Sequence, residues 1–169
     1  PLFWKECWLR SAENCLFDLA NIEFVLDKYR HGNPDVRIGD FEWDNDIPDT
    51  KVIWVDNPNG KFKVSYLFDD PKYSNAQFTD NSGIKWPRNT EKFIAGADTF
   101  KNRETKGKRK SNAGVAVFWK HDHTVDHPNA LPEQLKSCRF ICTYNFRPKT
   151  PEIFAEDMLM MCVYFGCEI

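Results

Sequence analysis

Three stretches of this sequence carry residues able to do chemistry: an aspartate closing an apolar run, a block of cations just after it, and a histidine-rich segment further on. Asp98 ends Phe93-Ile94-Ala95-Gly96-Ala97. A carboxylate there costs on the order of several kcal/mol to bury unless it is paired, hydrogen-bonded or metal-bound. The small neighbours Ala95, Gly96 and Ala97 let another group come close to the backbone. In a two-metal nuclease, an aspartate so placed on the first strand holds divalent ions that activate water and stabilise the leaving oxygen. The plainer reading is a strand-end carboxylate capping the turn that follows.

Lys101, Arg103, Lys106, Lys108, Arg109 and Lys110 put six positive charges into ten residues, opposed only by Glu104, in a chain whose net charge is −2. The block begins three residues after Asp98, so it is expected to project beside that carboxylate. Phosphate backbones are held by such clusters, although a solvated hairpin tip has the same composition. His121-Asp122-His123-Thr124-Val125-Asp126-His127 approaches a His-x-His-x-Asp-His metal pattern with one residue too many, and its polar setting reads as an exposed loop. The six cysteines, at 7, 15, 138, 142, 162 and 167, lack Cys-x2-Cys knuckles and read as reduced thiols of an intracellular protein. No Walker A loop, Gly-x-Gly-x2-Gly fingerprint or Gly-x-Ser-x-Gly elbow occurs.

The elements that must position these residues follow from periodicity. Leu19, Ile22, Leu26 and Tyr29 fall on one face of a helix ended by Gly32. An acidic, turn-rich segment follows, in which Val52–Val55 and Phe62–Phe68 flank Asn57-Pro58-Asn59-Gly60 and predict a β-hairpin. Residues 69–90 read as a long polar connection. Buried strands are then expected over 93–98, 113–119 and 139–144. Thr150-Pro151-Glu152 opens a helix with Phe154, Met158, Met161 and Phe165 on its buried face, and Gly166 ends it. Cys167-Glu168-Ile169 starts a fourth strand. Short connections favour an antiparallel meander for the first three strands, and the crossover helix can return the fourth parallel. The expected fold is α/β: a ribonuclease-H-like mixed sheet in residues 91–169, preceded by a small α+β linker region in 1–90. An aromatic share of 15% excludes wholesale disorder, and no apolar run is long enough to span a membrane.

Phe93–Phe100, followed by Ser111–Phe118 and Arg147–Phe154, resembles the nuclease segment of large terminase subunits from tailed bacteriophages. Upstream, Ser11–Phe17 and Gly39–Trp43 through Trp54-Val55 resemble the segment joining ATPase to nuclease in such proteins. The resemblance implies a fragment of a DNA-packaging motor protein whose nuclease cuts concatemeric viral DNA with Mg2+ or Mn2+. Its partners would be double-stranded DNA, the portal protein and the small terminase subunit, in a homo-oligomer in the cytoplasm of an infected bacterium. Asp98 matches the first metal-binding aspartate. The family's second acid sits on the fourth strand, where Glu168 is the acid present, and the true second ligand is expected just beyond Ile169. The excerpt alone is then expected to be inactive and unstable. Two alternatives stay open: a non-catalytic nucleic-acid-binding module, and another ribonuclease-H-like enzyme such as a transposase or resolvase.

Overall fold

The computed structural model describes residue 27 and residues 36–99, 111–131 and 134–169. Contacts divide the chain between Asp35 and Val36, and the fold below is that of Val36–Ile169. The helix expected near residues 18–31 lies outside the described residues except for Asp27, which is helical. Cys7, Cys15 and the cations of 101–110 lie outside them as well.

Eight strands and one long helix follow in order: β1 (Arg37–Trp43), β2 (Val52–Asp56), β3 (Phe62–Val64), β4 (Gln77–Thr79), β5 (Lys85–Pro87), β6 (Phe93–Asp98), β7 (Ala113–Trp119), β8 (Arg139–Phe146) and α1 (Pro151–Phe165). Six strands form one sheet in the order β2-β1-β3-β8-β7-β6, with every neighbouring pair antiparallel. The strands alternate as a half-buried sheet requires. In β7, Ala113, Val115, Val117 and Trp119 are buried while Gly114, Ala116 and Phe118 face outward. The inward residues pack with Phe154, Met161 and Phe165 of α1, the helix face that its spacing predicts. Phe41, Phe62, Phe93 and Phe165 are almost wholly buried there, each contributing about 1.5–3 kcal/mol by leaving water. Gly166 ends the helix in the left-handed region at φ 65°, and the Cys167 N–H reaches back to the Cys162 carbonyl.

The expected α/β class is corrected to mostly β. Among the described residues the large sheet is antiparallel throughout, and its only parallel contact is a bridge between Ile94 and Glu168. The linker strands are the cause: β3 pairs with β8, so β1–β3 extend the same sheet that β6–β8 begin. The strand expectation at 93–98, 113–119 and 139–144 matches β6, β7 and β8, yet these strands are buried on one face only.

The expected hairpin between 52–55 and 62–68 does not form. β2 and β3 run the same way on opposite sides of β1, pairing with its two halves. Asn57-Pro58-Asn59-Gly60 does make a turn, with the Gly60 N–H on the Asn57 carbonyl at 2.8 Å. That turn carries the chain across β1 at Gly39, which pairs with Asp56 on one side and Phe62 on the other. Asp40 fixes the crossing: Oδ2 accepts from Asn57 Nδ2 at 2.8 Å and Oδ1 from the Lys61 N–H at 3.0 Å. Gly60 lies so close that a Cβ on it would collide with the Gly39 backbone. Residues 69–90, expected as an open connection, contain the β4–β5 hairpin, whose turn is organised by Asp80 accepting from the Ser82 and Ile84 N–H groups and from Trp86 Nε1.

A buried polar cluster ties the crossing to the helix. Asp157 of α1, 3% exposed, pairs with Lys61 Nζ and accepts from the Tyr144 hydroxyl at 3.1 Å. Burial raises the Asp157 pKa, with Lys61 and Tyr144 opposing it. A raised folded-state pKa means that Asp157 stabilises the fold below the ordinary carboxylate range, and this contribution is lost as pH rises through the folded value. Denaturant melts of wild type and Asp157→Asn between pH 4 and 7 are therefore expected to show the variant gaining stability relative to wild type as pH rises. Lys61→Met, which leaves the carboxylate buried and unpaired, is expected to cost about 3 kcal/mol at pH 7.

The crossing gives a second expectation. Gly60→Ala should destabilise by about 1–3 kcal/mol, because the Gly39 backbone must shift to admit a methyl group. Gly96→Ala, where a Cβ meets nothing within 4 Å, should be neutral or stabilising by up to about 1 kcal/mol in the same melts.

Candidate functional site

The site is built on the outward face of β6, β7 and β8. Register places Asp98 opposite Gly114, and Gly114 opposite Asn145. One step along, Gly96 lies opposite Ala116 and Ala116 opposite Thr143. With strands about 4.8 Å apart, Asp98 and Asn145 stand roughly 10 Å from each other with only a glycine between them. The result is an open trough of about 700 Å3 with a floor of glycine and alanine and larger side chains at its walls. Asp98 forms one wall. Asn145 forms the other, with its Oδ1 accepting from Asn112 Nδ2 at 2.9 Å.

The floor glycines are not there for packing. A Cβ at Gly96 would meet nothing within 4 Å, and one at Gly114 only the Tyr144 carbonyl at 4.0 Å. Glycine inside a strand weakens it and commonly marks the close approach of a ligand or another backbone. Beyond Thr143 the next outward residue is Lys63 of β3, an exposed cation on the same row. Arg147, two residues past Asn145, donates to the Ser111 carbonyl.

Asp98 itself is exposed at the end of β6. Among the described residues no hydrogen bond or ion pair reaches its carboxylate. Glu168 is not beside it: the main chain of Glu168 bridges Ile94, with the Ala95 N–H on its carbonyl at 2.9 Å. Asp98 lies four residues further along β6, roughly 13 Å away. No group of three or more His, Cys, Asp or Glu among the described residues could hold a metal ion. The trough thus supplies one carboxylate ligand and not a two-metal site. A Mg2+ ion is commonly held by one or two carboxylates together with substrate phosphates, and a lone exposed aspartate fits the protein's share of that arrangement.

The histidine-rich segment is occupied with holding its own loop. Asp126 is buried and accepts from the Ser137 hydroxyl and the Lys136 N–H, which hold its pKa below the ordinary range, Ser137 foremost. His121 Nδ1 lies 3.7 Å from Asp126 Oδ2, and the His121 and His123 rings meet edge to face at 4.3 Å. The cysteines at 138, 142, 162 and 167 are free, and the last three are buried. Burial pushes the Cys142 thiol well above its usual pKa, which makes it an inert core side chain.

Asn112, Asn145, Thr143 and Lys63 went unnoticed in the sequence. Alternation along β8 puts Thr143 and Asn145 on one face, and Gly96, Gly114 and Ala116 share that parity in their own strands. The signal existed as polar residues facing small ones, but it needs the register to be read. No family model, curated protein or solved structure matches this chain. Among the described residues no helix is long and apolar enough to cross a membrane.

The trough carries its own test. Ala116→Leu, which fills the floor from an outward position, should leave the melting temperature within about 3 °C of wild type, since the side chain leaves the core untouched.

Proposed function

We propose that this chain is the linker and N-terminal part of a ribonuclease-H-like nuclease of the large-terminase kind, which hydrolyses DNA phosphodiesters with Mg2+ or Mn2+. The observation that carries the reading is the parallel bridge between Glu168 and Ile94. Three antiparallel strands, β6, β7 and β8, are followed by a helix that brings the chain back beside the first strand, running parallel to it. That is the order and direction in which the expected fold begins. In this register Glu168 is level with Ile94, four residues short of Asp98, so this reading needs a second metal-binding acid other than Glu168.

The single carboxylate at Asp98, the glycine-and-alanine floor and the exposed cation Lys63 on the same row suit a phosphodiester better than a small neutral molecule. The basic segment 101–110 joins β6 to β7 directly beyond Asp98, which favours the same partner, double-stranded DNA. A bound divalent ion would supply water activation and charge neutralisation at the scissile phosphate. The portal protein, the small terminase subunit and the infected bacterial cytoplasm belong to this reading through the resemblance alone. The absence of a three-ligand group among the described residues favours the second reading, a module that binds nucleic acid without cutting it.

Plasmid cutting in Mn2+ separates them. The whole protein is expected to cut, and Asp98→Asn in it to reduce cutting to background with its circular dichroism unchanged. Retained cutting by Asp98→Asn would remove Asp98 from the chemistry. DNA binding without cutting by the whole protein would favour the binding module.

A further inference from the structure

The outward face that carries Asp98 has an aromatic end. Phe118 and Phe140 lie opposite each other in the β7–β8 register, their rings edge to face with centroids 5.2 Å apart, and Ile94 is next to Phe118 on β6. Phe140 is 63% exposed. A β-bulge puts it there: the register shifts between Val117 and Phe118, so Ile141 and Cys142 both turn into the core and Phe140 swings outward. Bulges re-aim side chains in this way beside functional sites. The phenyl ring is carried by β8, which pairs with β7 at this level, and Ser65 just past the end of β3 donates to the Ile141 carbonyl on the other side, so the ring sits on hydrogen-bonded backbone.

Position and size say what it suits. Phe118 lies four residues along β7 from Gly114, the residue level with Asp98, a distance of roughly 13 Å. Stacked nucleotides at about 3.4 Å each would cover that distance in about four steps. Between the two ends run the small floor residues and, on the adjoining strand, exposed Lys63. The apolar patch itself is three side chains, no more than a few hundred Å2, well short of the roughly 800 Å2 that each partner of a stable protein pair buries. A single aromatic face next to a cation-flanked trough is the pattern of a strand-binding groove, where bases stack on aromatic side chains and cations follow the backbone.

We propose that Phe140, braced by Phe118, is a stacking platform for an unpaired base of the DNA strand that lies in the Asp98 trough, so that this site takes its substrate strand locally single-stranded. The inference rests on the nucleic-acid reading of that trough and adds to it the form of the substrate. Phe118 is a positioning residue, holding the Phe140 ring edge-on.

The test compares an end-labelled single strand with a blunt duplex of the same length, by fluorescence anisotropy, against the full chain, Phe140→Ala and Phe140→Trp. Phe140 is outside the core, and unchanged melting of both variants checks that the fold is kept. Phe140→Ala is expected to weaken single-strand binding about 5- to 100-fold while the duplex changes little. Its salt dependence should stay that of wild type, because no phosphate contact is lost. Phe140→Trp is expected to bind like wild type, with the added indole fluorescence quenched by the single strand and not by the duplex. Single-strand affinity unchanged in Phe140→Ala, or an equal loss on both forms, would overturn the platform while leaving the trough's nucleic-acid reading intact. A wild-type chain that binds neither form would overturn both.

Discussion

Asp40 accepts hydrogen bonds from both ends of a five-residue segment as that segment steps across β1, and the architecture of the sheet depends on this crossing. Without it, the strongest turn signal in the sequence would fold β2 back on β3 as an isolated hairpin. With it, β1 is enclosed between β2 and β3, and β3 is delivered to the edge of β8. The crossing is possible because Gly39 and Gly60 meet where neither has a side chain. Lys61, the next residue, carries the constraint into the core through Asp157 of α1 and, by way of that carboxylate, to Tyr144 of β8. One half-buried and one buried carboxylate, Asp40 and Asp157, thus connect the linker strands, the helix and the central strands.

The consequence for the site is that one face of the sheet is fully used and the other is not. The aromatic cluster of Phe41, Phe62, Phe93 and Phe165 gathers on the α1 side. That leaves the outward residues of β6–β8 free of packing duties, which is why glycine and alanine can stand there and why a phenylalanine can stand exposed. A floor of glycine and alanine between a carboxylate and an amide pair is unusual as a core device, since mid-strand glycines weaken a sheet, and sensible as a seat for a ligand that must lie flat.

Much of this was legible in the sequence where a local signal decides the outcome. The strands at 93–98, 113–119 and 139–144 and the helix after Thr150 follow from short apolar runs, a Pro at the first helical position and a Gly that ends the helix, all short-range effects. The illegible part was long-range. Nothing near Asn57 announces that Asp40, seventeen residues earlier, will hold it. Asp157 reads as a solvated helix residue until Lys61 and Tyr144 are brought to it from ninety-six and thirteen residues away. The site divides in the same way. Asp98 stands out by its place at the end of an apolar run, whereas Asn145 and Lys63 acquire meaning only when register sets them in rows with Asp98 and Gly96.

In the proposed function, Asp98 presents a divalent cation to a phosphate seated in the trough. Electron paramagnetic resonance of Mn2+ titrated into the protein with a short DNA strand tests it most directly, with Asp98→Asn as the comparison. The account predicts that the strand increases Mn2+ bound by the wild-type chain and that Asp98→Asn loses this increment while still binding DNA. An increment of equal size in the two proteins would contradict it, since the cation would then be held by the nucleic acid without the aspartate.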